Sequence, residues 1–360
     1  LPFSLVLTAL FLQVARILPP WIASDAAVIA QAQDYYHWIA IGYLPNTLMI
    51  LISSHLRLSG DTKTPLFLNA MNNILNIIFN TLFIFEGLTV GGITLPGLGL
   101  GVKGAAMATT LACTITALSL LFIIFKGSGL ISLSGYRSSG WEGSLHRAAL
   151  RLAVPVALER TTLSLGQILY TKLIGTLGTT ALAAHFLATT AESITYLPSS
   201  GLSTAATTLV AHSLGSGDKA LAQRFGDTSL ILGTLFMSAM GLVLYFFAHP
   251  LLGLFTADEA VITLGAKVLR IEAFAQPAFG LSMLTFGIFR GAGDTKSPFF
   301  ISIAGMWLVR LPLAWALLSY TTWGLWGVWL AMASDITLRG IICLFAYRHS
   351  GWLERYTEQH

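Results

Sequence analysis

Charge is what this 360-residue chain has least of: Asp, Glu, Lys and Arg together make up 10% of it, against about 25% in an ordinary soluble domain. With 55% hydrophobic residues and a mean hydropathy of +0.74, that scarcity excludes a water-solvated globule and points to a chain whose solvent is lipid. Cysteine is nearly absent as well. Cys113 and Cys343 fall far apart inside apolar runs, which excludes a disulfide or thiolate-metal framework and makes them small core residues. Basic residues occur singly and never form a stripe with aromatics, so the net charge of +4 does not indicate nucleic acid. No His-Glu-x-x-His, no nucleophile motif and no paired carboxylates at a membrane face occur, and no enzyme activity is expected. The apolar run from Leu1 to Leu18 lacks a basic front and a small-residue cleavage site, so it does not read as a signal peptide.

Long apolar runs, by contrast, are plentiful. A hydrocarbon core ~30 Å thick takes about 20 apolar residues per helix, and about ten such stretches occur: roughly 1–19, 33–56, 65–86, 102–126, 150–172, 181–203, 227–248, 268–289, 298–319 and 324–347. They are twice the length of a barrel strand and do not alternate. The chain therefore reads as an all-α polytopic membrane protein.

One loop is written twice. The stretch LRLSGDTKTP ends at Pro65 and FRGAGDTKSP ends at Pro298, which puts Asp61 and Asp294 233 residues apart. About six spans separate the copies, an even number, so the two repeats share one orientation and are parallel, related by an axis along the membrane normal. The match extends to GVKGAAMA from Gly101 and GLWGVWLA from Gly324, whose small residues one turn apart allow close helix packing. Arg57, Lys63, Lys126, Arg151, Lys219, Arg290, Lys296 and Arg348 lie on alternate connections, so both GDTK loops and the C-terminus are expected on the cytoplasmic side.

The expected organisation is an N-terminal lobe over 1–126 with about four spans, a linker over 127–150, a C-terminal lobe over 151–350 with about six, and a tail over 351–360. Two spans between Arg151 and about Ser203 have no counterpart in the first half. A six-plus-six plan would then lack its first two helices. The GDTK loop itself does not fit a phosphate cradle, since a Walker A loop needs Gly-Lys-Ser/Thr. A tight turn fits better: Gly60 or Gly293 ends one helix, Asp-Thr offers acceptors to the next, and Pro65 or Pro298 takes a first-turn position.

Polar residues inside the spans are the candidates for function, because an ionisable group in hydrocarbon costs at least ~2.5 kcal/mol and usually faces a cavity or partner. Asn69, Asn73, Asn76 and Asn80 follow a spacing that puts them along one helix face, either as interhelical glue or as the wall of a hydrophilic chamber. Glu159, Arg160, Glu192, Arg310 and Asp335 fall at similar depth when residues are counted from each span's start, which suggests one network. It could be neutralised as ion pairs or leave one carboxylate to titrate. Glu192, with no basic residue within two turns on its own helix, is the less compensated acid, and Glu159 its competitor. Met283, Phe286 and Trp307 fit ordinary packing as well as a cleft for flat cations. His185 and His212 sit near span ends and read as solvated caps.

Several segments together resemble the multidrug and toxic compound extrusion (MATE) transporters: the paired GDTKTP and GDTKSP loops, NILNIIFNTLFIF from Asn73, RLAVPVALERTTLSLGQILYTKLIGTLGTTALAAH from Arg151 and GLSTAATTLVAHSLGSGDKA from Gly201. The resemblance implies two six-helix lobes around a cleft, with the first two helices absent. It implies export of small organic, often cationic compounds in exchange for H⁺ or Na⁺, without another cofactor. Asn76 and Asn80 match an Asn-x-x-x-Asp pattern near a cation site, with Asn80 where the family often has Asp, and Thr109 matches a nearby hydroxyl. Glu159 lies about one turn before a family glutamate. The family's tenth-helix acid has no clear match, since Gln276 and Phe279 occupy that neighbourhood. Coupling candidates are thus Glu192, Glu159, Asp335, Asn76, Asn80 and Thr109; cleft candidates are Gln276, Met283, Phe286 and Arg310. A multi-pass inner-membrane monomer is expected, and a lipid-linked saccharide flippase of related plan is the alternative.

Overall fold

In the computed structural model, residues 2–22, 26–90, 93–126 and 143–353 are described. They belong to two compact units, Leu1–Gly140 and Trp141–His360. The first contains α1 (Pro2–Ile22), α2 (Ala26–Leu58), α3 (Lys63–Ile84) and α4 (Gly101–Lys126). A small antiparallel hairpin, β1 (Gly87–Val90) and β2 (Ile93–Pro96), joins α3 to α4, with Gly87 opposite Pro96. It is the one departure from an all-helical chain among the described residues.

The second unit contains α5 (Gly143–Gly175), α6 (Thr179–Gly215), α7 (Lys219–Gly253), α8 (Glu259–Gly291), α9 (Lys296–Ile303), α10 (Leu311–Tyr320) and α11 (Leu325–His349). A π-helical segment, Ala304–Arg310, joins α9 to α10. Of the expected linker, residues 127–142 lie outside the described residues, and 143–150 already belong to α5. Most of the expected tail, 354–360, is likewise outside.

Every expected apolar run corresponds to a helix, with α9, the π segment and α10 filling one run. Six are long and apolar enough to cross a membrane: α2 from Ile29, α3, α4, α7, α9 through α10, and α11. Of the four exceptions, α1 contributes a shorter apolar helix, Ser4–Ile17, while α5, α6 and α8 are just as long as the others but carry Glu159, Arg160, Glu192, Lys267, Arg270 and Glu272. Lipid is the solvent of both units, and Leu66, Phe122 and Phe246 point outward accordingly.

The first unit's core is Ile52 and Leu56 of α2, Leu68 of α3, and Leu120 and Ile124 of α4. In the second, α8 is central and packs on α6, α7 and α11. Tyr170, Leu244, Leu269 and Trp329 fill one core, and Leu214, Phe289, Tyr347 and Trp352 a second. Small residues permit this density: a Cβ on Gly287 or Gly291 would strike the α6 backbone at Ser203 or Thr207, and one on Gly104 would strike the Phe83 carbonyl of α3.

Both GDTK turns close identically. Gly60 and Gly293 have φ of +93° and +81°, a region open to glycine at little cost. The Asp61 and Asp294 amides donate back to Leu56 O (2.9 Å) and Phe289 O (2.8 Å), and the glycine amides to Arg57 O and Arg290 O (both 3.1 Å), the Schellman pattern. The aspartate side chain then caps the following helix. Asp61 Oδ1 accepts from the Thr64 amide (3.0 Å), and Asp294 Oδ1 accepts from the Ser297 amide (2.9 Å). A third turn repeats the device between α6 and α7: Gly217 has φ +80°, and Asp218 Oδ1 accepts from the Leu221 amide at 2.8 Å.

Candidate functional site

The second unit holds a cavity of about 570 Å³ walled by α5, α6, α8, the π segment and α11. Polar side chains reach it from four of these elements: Arg160 and Gln167, His185 and Glu192, Arg310, and Arg339. The π segment widens its turn where Arg310 leaves the backbone. Gly305, in the same segment, is obligatory in this packing, because a Cβ there would collide with Asp335 Oδ1 and with the Arg339 side chain.

Asp335 is fully buried and anchors two cations. Arg310 Nε donates to Asp335 Oδ2 at 2.9 Å, and Arg339 Nη2 bonds the same oxygen. The Arg310 guanidinium also lies 5.7 Å from the centre of the Tyr170 ring, a cation–π distance. Glu192 is half-buried at the cavity wall. The Gln276 carboxamide lies beside its carboxylate, although Gln276 Nε2 forms no hydrogen bond among the described residues. The Thr195 hydroxyl bonds the Glu192 carbonyl oxygen (2.8 Å) and lies 3.3 Å from Gln276 Oε1.

One turn before Gln276, Glu272 is 0% exposed, and neither carboxylate oxygen has a hydrogen-bond partner among the described residues. Its electrostatic neighbours are Glu192, Arg310, Arg339 and Asp335. The buried group thus comprises three carboxylates, Glu192, Glu272 and Asp335, against two guanidinium groups, Arg310 and Arg339. Fully ionised, it carries one negative charge in excess. Arg160, the other arginine of the cavity, is exposed and has no acidic partner among the described residues.

Glu159 is not part of this group, so the single network expected from equal depth resolves into two. Its carboxylate receives both bonds of Arg290 Nη2, at 3.0 and 2.8 Å, and one from Ser302 Oγ at 3.1 Å. The set ties α5, α8 and α9 together beside the Gly293–Asp294 turn, with Glu159 3% exposed. Its carboxylate thus joins three helices among the described residues.

In the first unit, Asn76, Asn80 and Thr109 come together. Asn80 Nδ2 donates to Asn76 Oδ1 (2.9 Å), Asn76 Nδ2 to Thr109 Oγ1 (3.1 Å), and Thr109 Oγ1 to Ala105 O of its own helix (3.0 Å). Asn80 Oδ1 is left over, buried and without a donor among the described residues. Asn69 bonds back to Pro65 O at 2.7 Å, so it belongs to helix structure. Asn72, which the face pattern omitted, accepts from Thr116 Oγ1 at 3.4 Å.

Of the cleft candidates, Arg310 lines the cavity and Gln276 lies behind its wall, fully buried. Met283 packs on the Phe289–Tyr347 core, and Phe286 lies under the Arg290 guanidinium at 6.0 Å; neither lines the cavity. His185 is not a solvated cap. It is 2% exposed, with its ring 5.9 Å from Tyr170 and 5.7 Å from Trp329, at the cavity's edge. Glu272 and Arg339 escaped sequence reasoning, although Asp335 and Arg339 stand four residues apart, the spacing of a helical ion pair.

The MatE family model matches residues 1–82 and 155–316, one segment in each unit. The chain is 30% identical over 331 residues to the probable multidrug resistance protein NorM of Thermotoga maritima, covering 92% of this chain and 69% of that protein. It is 31% identical over 273 residues to the multidrug resistance protein NorM of Burkholderia vietnamiensis, covering 73% of this chain and 56% of that one. Two solved structures share its fold at 20% identity and 77% coverage of their chains. One is the outward-facing conformation of a multidrug resistance MATE family transporter of the MOP superfamily, with a TM-score of 0.88 over 99% of this chain. The other is a MOP superfamily transporter from Pyrococcus furiosus, whose binding pocket is described as having reverse polarity, with a TM-score of 0.90 over 98%. Family match, relatives and fold agree: this multi-pass membrane chain belongs to the MatE family, the multidrug and toxic compound extrusion transporters.

Proposed function

We propose that the chain exports small organic, often cationic compounds in exchange for one monovalent cation, H⁺ or Na⁺, by alternating access. The observation that carries this reading is the single excess negative charge of the buried group. Asp335 is compensated by Arg310 and Arg339, but their two positive charges cannot also neutralise both Glu192 and Glu272. An uncompensated buried charge costs several kcal/mol, so one cation held between the two glutamates brings the group to neutrality. Glu192 is the member that faces the cavity and exchanges the ion; Glu272 lies behind it. A cationic substrate in the cavity would compete for the same negative charge, which is the condition for exchange. The relatives' names support multidrug export.

The saccharide flippase reading is weaker. A pyrophosphate would call for several free cations, whereas of the cavity's three arginines Arg310 and Arg339 are both committed to Asp335 and only Arg160 is left. The expected sidedness, with both GDTK loops and the C-terminus cytoplasmic in an inner membrane, and the monomeric state belong to the same proposal.

The test is ethidium accumulation in cells lacking their own exporters. The protein is expected to lower accumulation until the ion gradient is collapsed, and Glu192→Gln and Glu272→Gln are each expected to abolish export while the purified variants still bind substrate. Export that survives collapse of both the H⁺ and Na⁺ gradients and stops on ATP depletion would refute ion coupling. Normal export by both variants would remove the glutamates from the mechanism.

A further inference from the structure

A second cavity of about 800 Å³ contains none of the buried carboxylates. It is an open groove on the outward side of the second unit, between α8 and α11 with Tyr245 of α7 at its edge. Two cations stand in it. Lys267 and Arg270 of α8 are both exposed, and with a spacing of three residues they share a helix face with Phe274, which is 76% exposed. That face is opposite the one bearing Glu272 and Gln276, so the groove lies on the outer surface of the second unit while the Glu272 carboxylate faces its interior.

Lys267 forms no hydrogen bond or ion pair with the described residues. Arg270 has only a carbonyl and a ring: its Nε donates to Tyr245 O at 3.3 Å, and its guanidinium lies 6.0 Å from the Tyr245 ring centre. The acid nearest in sequence, Glu272, lies on the opposite face of the helix, fully buried, and the two acids at the start of α8 are engaged elsewhere. Asp258 caps α8 through the Ala260 amide (3.0 Å), and Glu259 pairs with His249 at 3.0 Å. Two unneutralised cations on a lipid-facing surface need an anion from the membrane itself. The rest of the groove is mainly apolar, with Ser334 and Thr337 of α11 among its lining. On α11 it runs from Trp326, an aromatic suited to the interface, to Leu338 and Ile341. That span of fifteen residues is about 22 Å at 1.5 Å each, longer than one leaflet's half of a ~30 Å hydrocarbon core.

We infer that this groove binds one anionic phospholipid, its phosphate between Lys267 and Arg270 and an acyl chain along Phe274, Leu338 and Ile341. The bound headgroup lies at the end of the unit opposite the Gly293–Asp294 turn. Because the other face of α8 carries Glu272 and Gln276, the lipid braces the helix on which the buried carboxylate sits.

The purified protein, stripped of lipid in neutral detergent and returned to micelles containing phosphatidylglycerol or phosphatidylcholine, provides the test, with retained lipid counted by mass spectrometry. About one phosphatidylglycerol per chain should be retained in preference to phosphatidylcholine. Replacing both cations, Lys267→Gln with Arg270→Gln, should weaken retention about thirtyfold, while the charge-preserving pair Lys267→Arg with Arg270→Lys should keep it. Equal retention by the neutralised pair, or no preference for the anionic lipid, overturns the proposal. Displacement by millimolar glycerol phosphate as effectively as by phosphatidylglycerol also overturns it, since the groove would then hold a free phosphate. Crosslinking of two copies through Phe274→Cys would show a second chain covering this face, and overturns it too.

Discussion

Asp335 sits between two arginines, and removing its charge has a consequence beyond lost hydrogen bonds. In Asp335→Asn, Arg310 and Arg339 are free to balance Glu192 and Glu272, so the buried group is neutral without an added cation. Substrate binding by this variant is expected to lose its dependence on pH and Na⁺, measured by titration of the purified protein. The variant should also melt earlier, because breaking a buried pair costs about 3–5 kcal/mol. Gly305→Ala is expected to cost about 1–3 kcal/mol and to lower the melting temperature, since the new Cβ meets Asp335 and Arg339. The sequence made Asp335, Arg310 and Glu192 visible because charge in an apolar run is conspicuous. Glu272 was hidden by a counting origin. The apolar run begins near residue 268, but the helix begins at Glu259, nine residues or about 14 Å earlier, so depth counted from the run puts Glu272 at a span end although it lies well inside the helix. Glu159 seemed equivalent to Glu192 because depth along a helix says nothing about the direction a side chain faces.

The Gly–Asp turns are the elements most completely legible beforehand, because glycine's positive φ and the aspartate cap are local chemistry. The structure assigns the cap to aspartate alone, the Thr62 and Thr295 side chains forming no cap bond. Asp61 allows a pH prediction. Its carboxyl is held below the usual carboxylate range chiefly by the hydrogen bond from the Thr64 backbone. A depressed folded value means that the stabilisation is present above the unfolded pKa, about 3.9, and is lost as pH falls through the lower folded value. Hydrogen exchange at the Thr64 amide should therefore lose protection only in that acid window, and Asp61→Asn should remove the pH dependence. Gly293→Ala, which forces an L-residue to φ +81°, is expected to destabilise by about 1–2 kcal/mol, measured as a lower melting temperature. The β1–β2 hairpin was not among the expected elements although its signal is present, since Leu-Thr-Val and Ile-Thr-Leu flank a Gly-Gly pair. The π segment has no such mark in the composition of Ala304–Arg310.

For the whole molecule, helix count and duplication followed from apolar length and the repeated loop, because lipid imposes one length on every spanning helix. Sidedness is testable at that scale. Single cysteines at Lys63 and Lys296, both exposed beside the equivalent turns, should react with an impermeant thiol reagent from the same side of the membrane. A cysteine at Glu259, at the other end of α8, should react only from the opposite side. Labelling of Lys63→Cys and Lys296→Cys from different sides would refute the parallel duplication. The three Gly–Asp turns also bear on how the chain is made. Two polar helices, α6 and α8, are each followed through such a turn by a helix apolar enough to cross alone, α7 and the α9–α10 run. In each pair the polar member leaves the ribosome first, so it must wait beside the insertion machinery until its apolar partner emerges, and the two enter the bilayer as a closed hairpin. Insertion in pairs of helices is then the expected outcome, and a nascent chain halted between Gly291 and Lys296 should hold α8, with its buried carboxylate, outside the lipid.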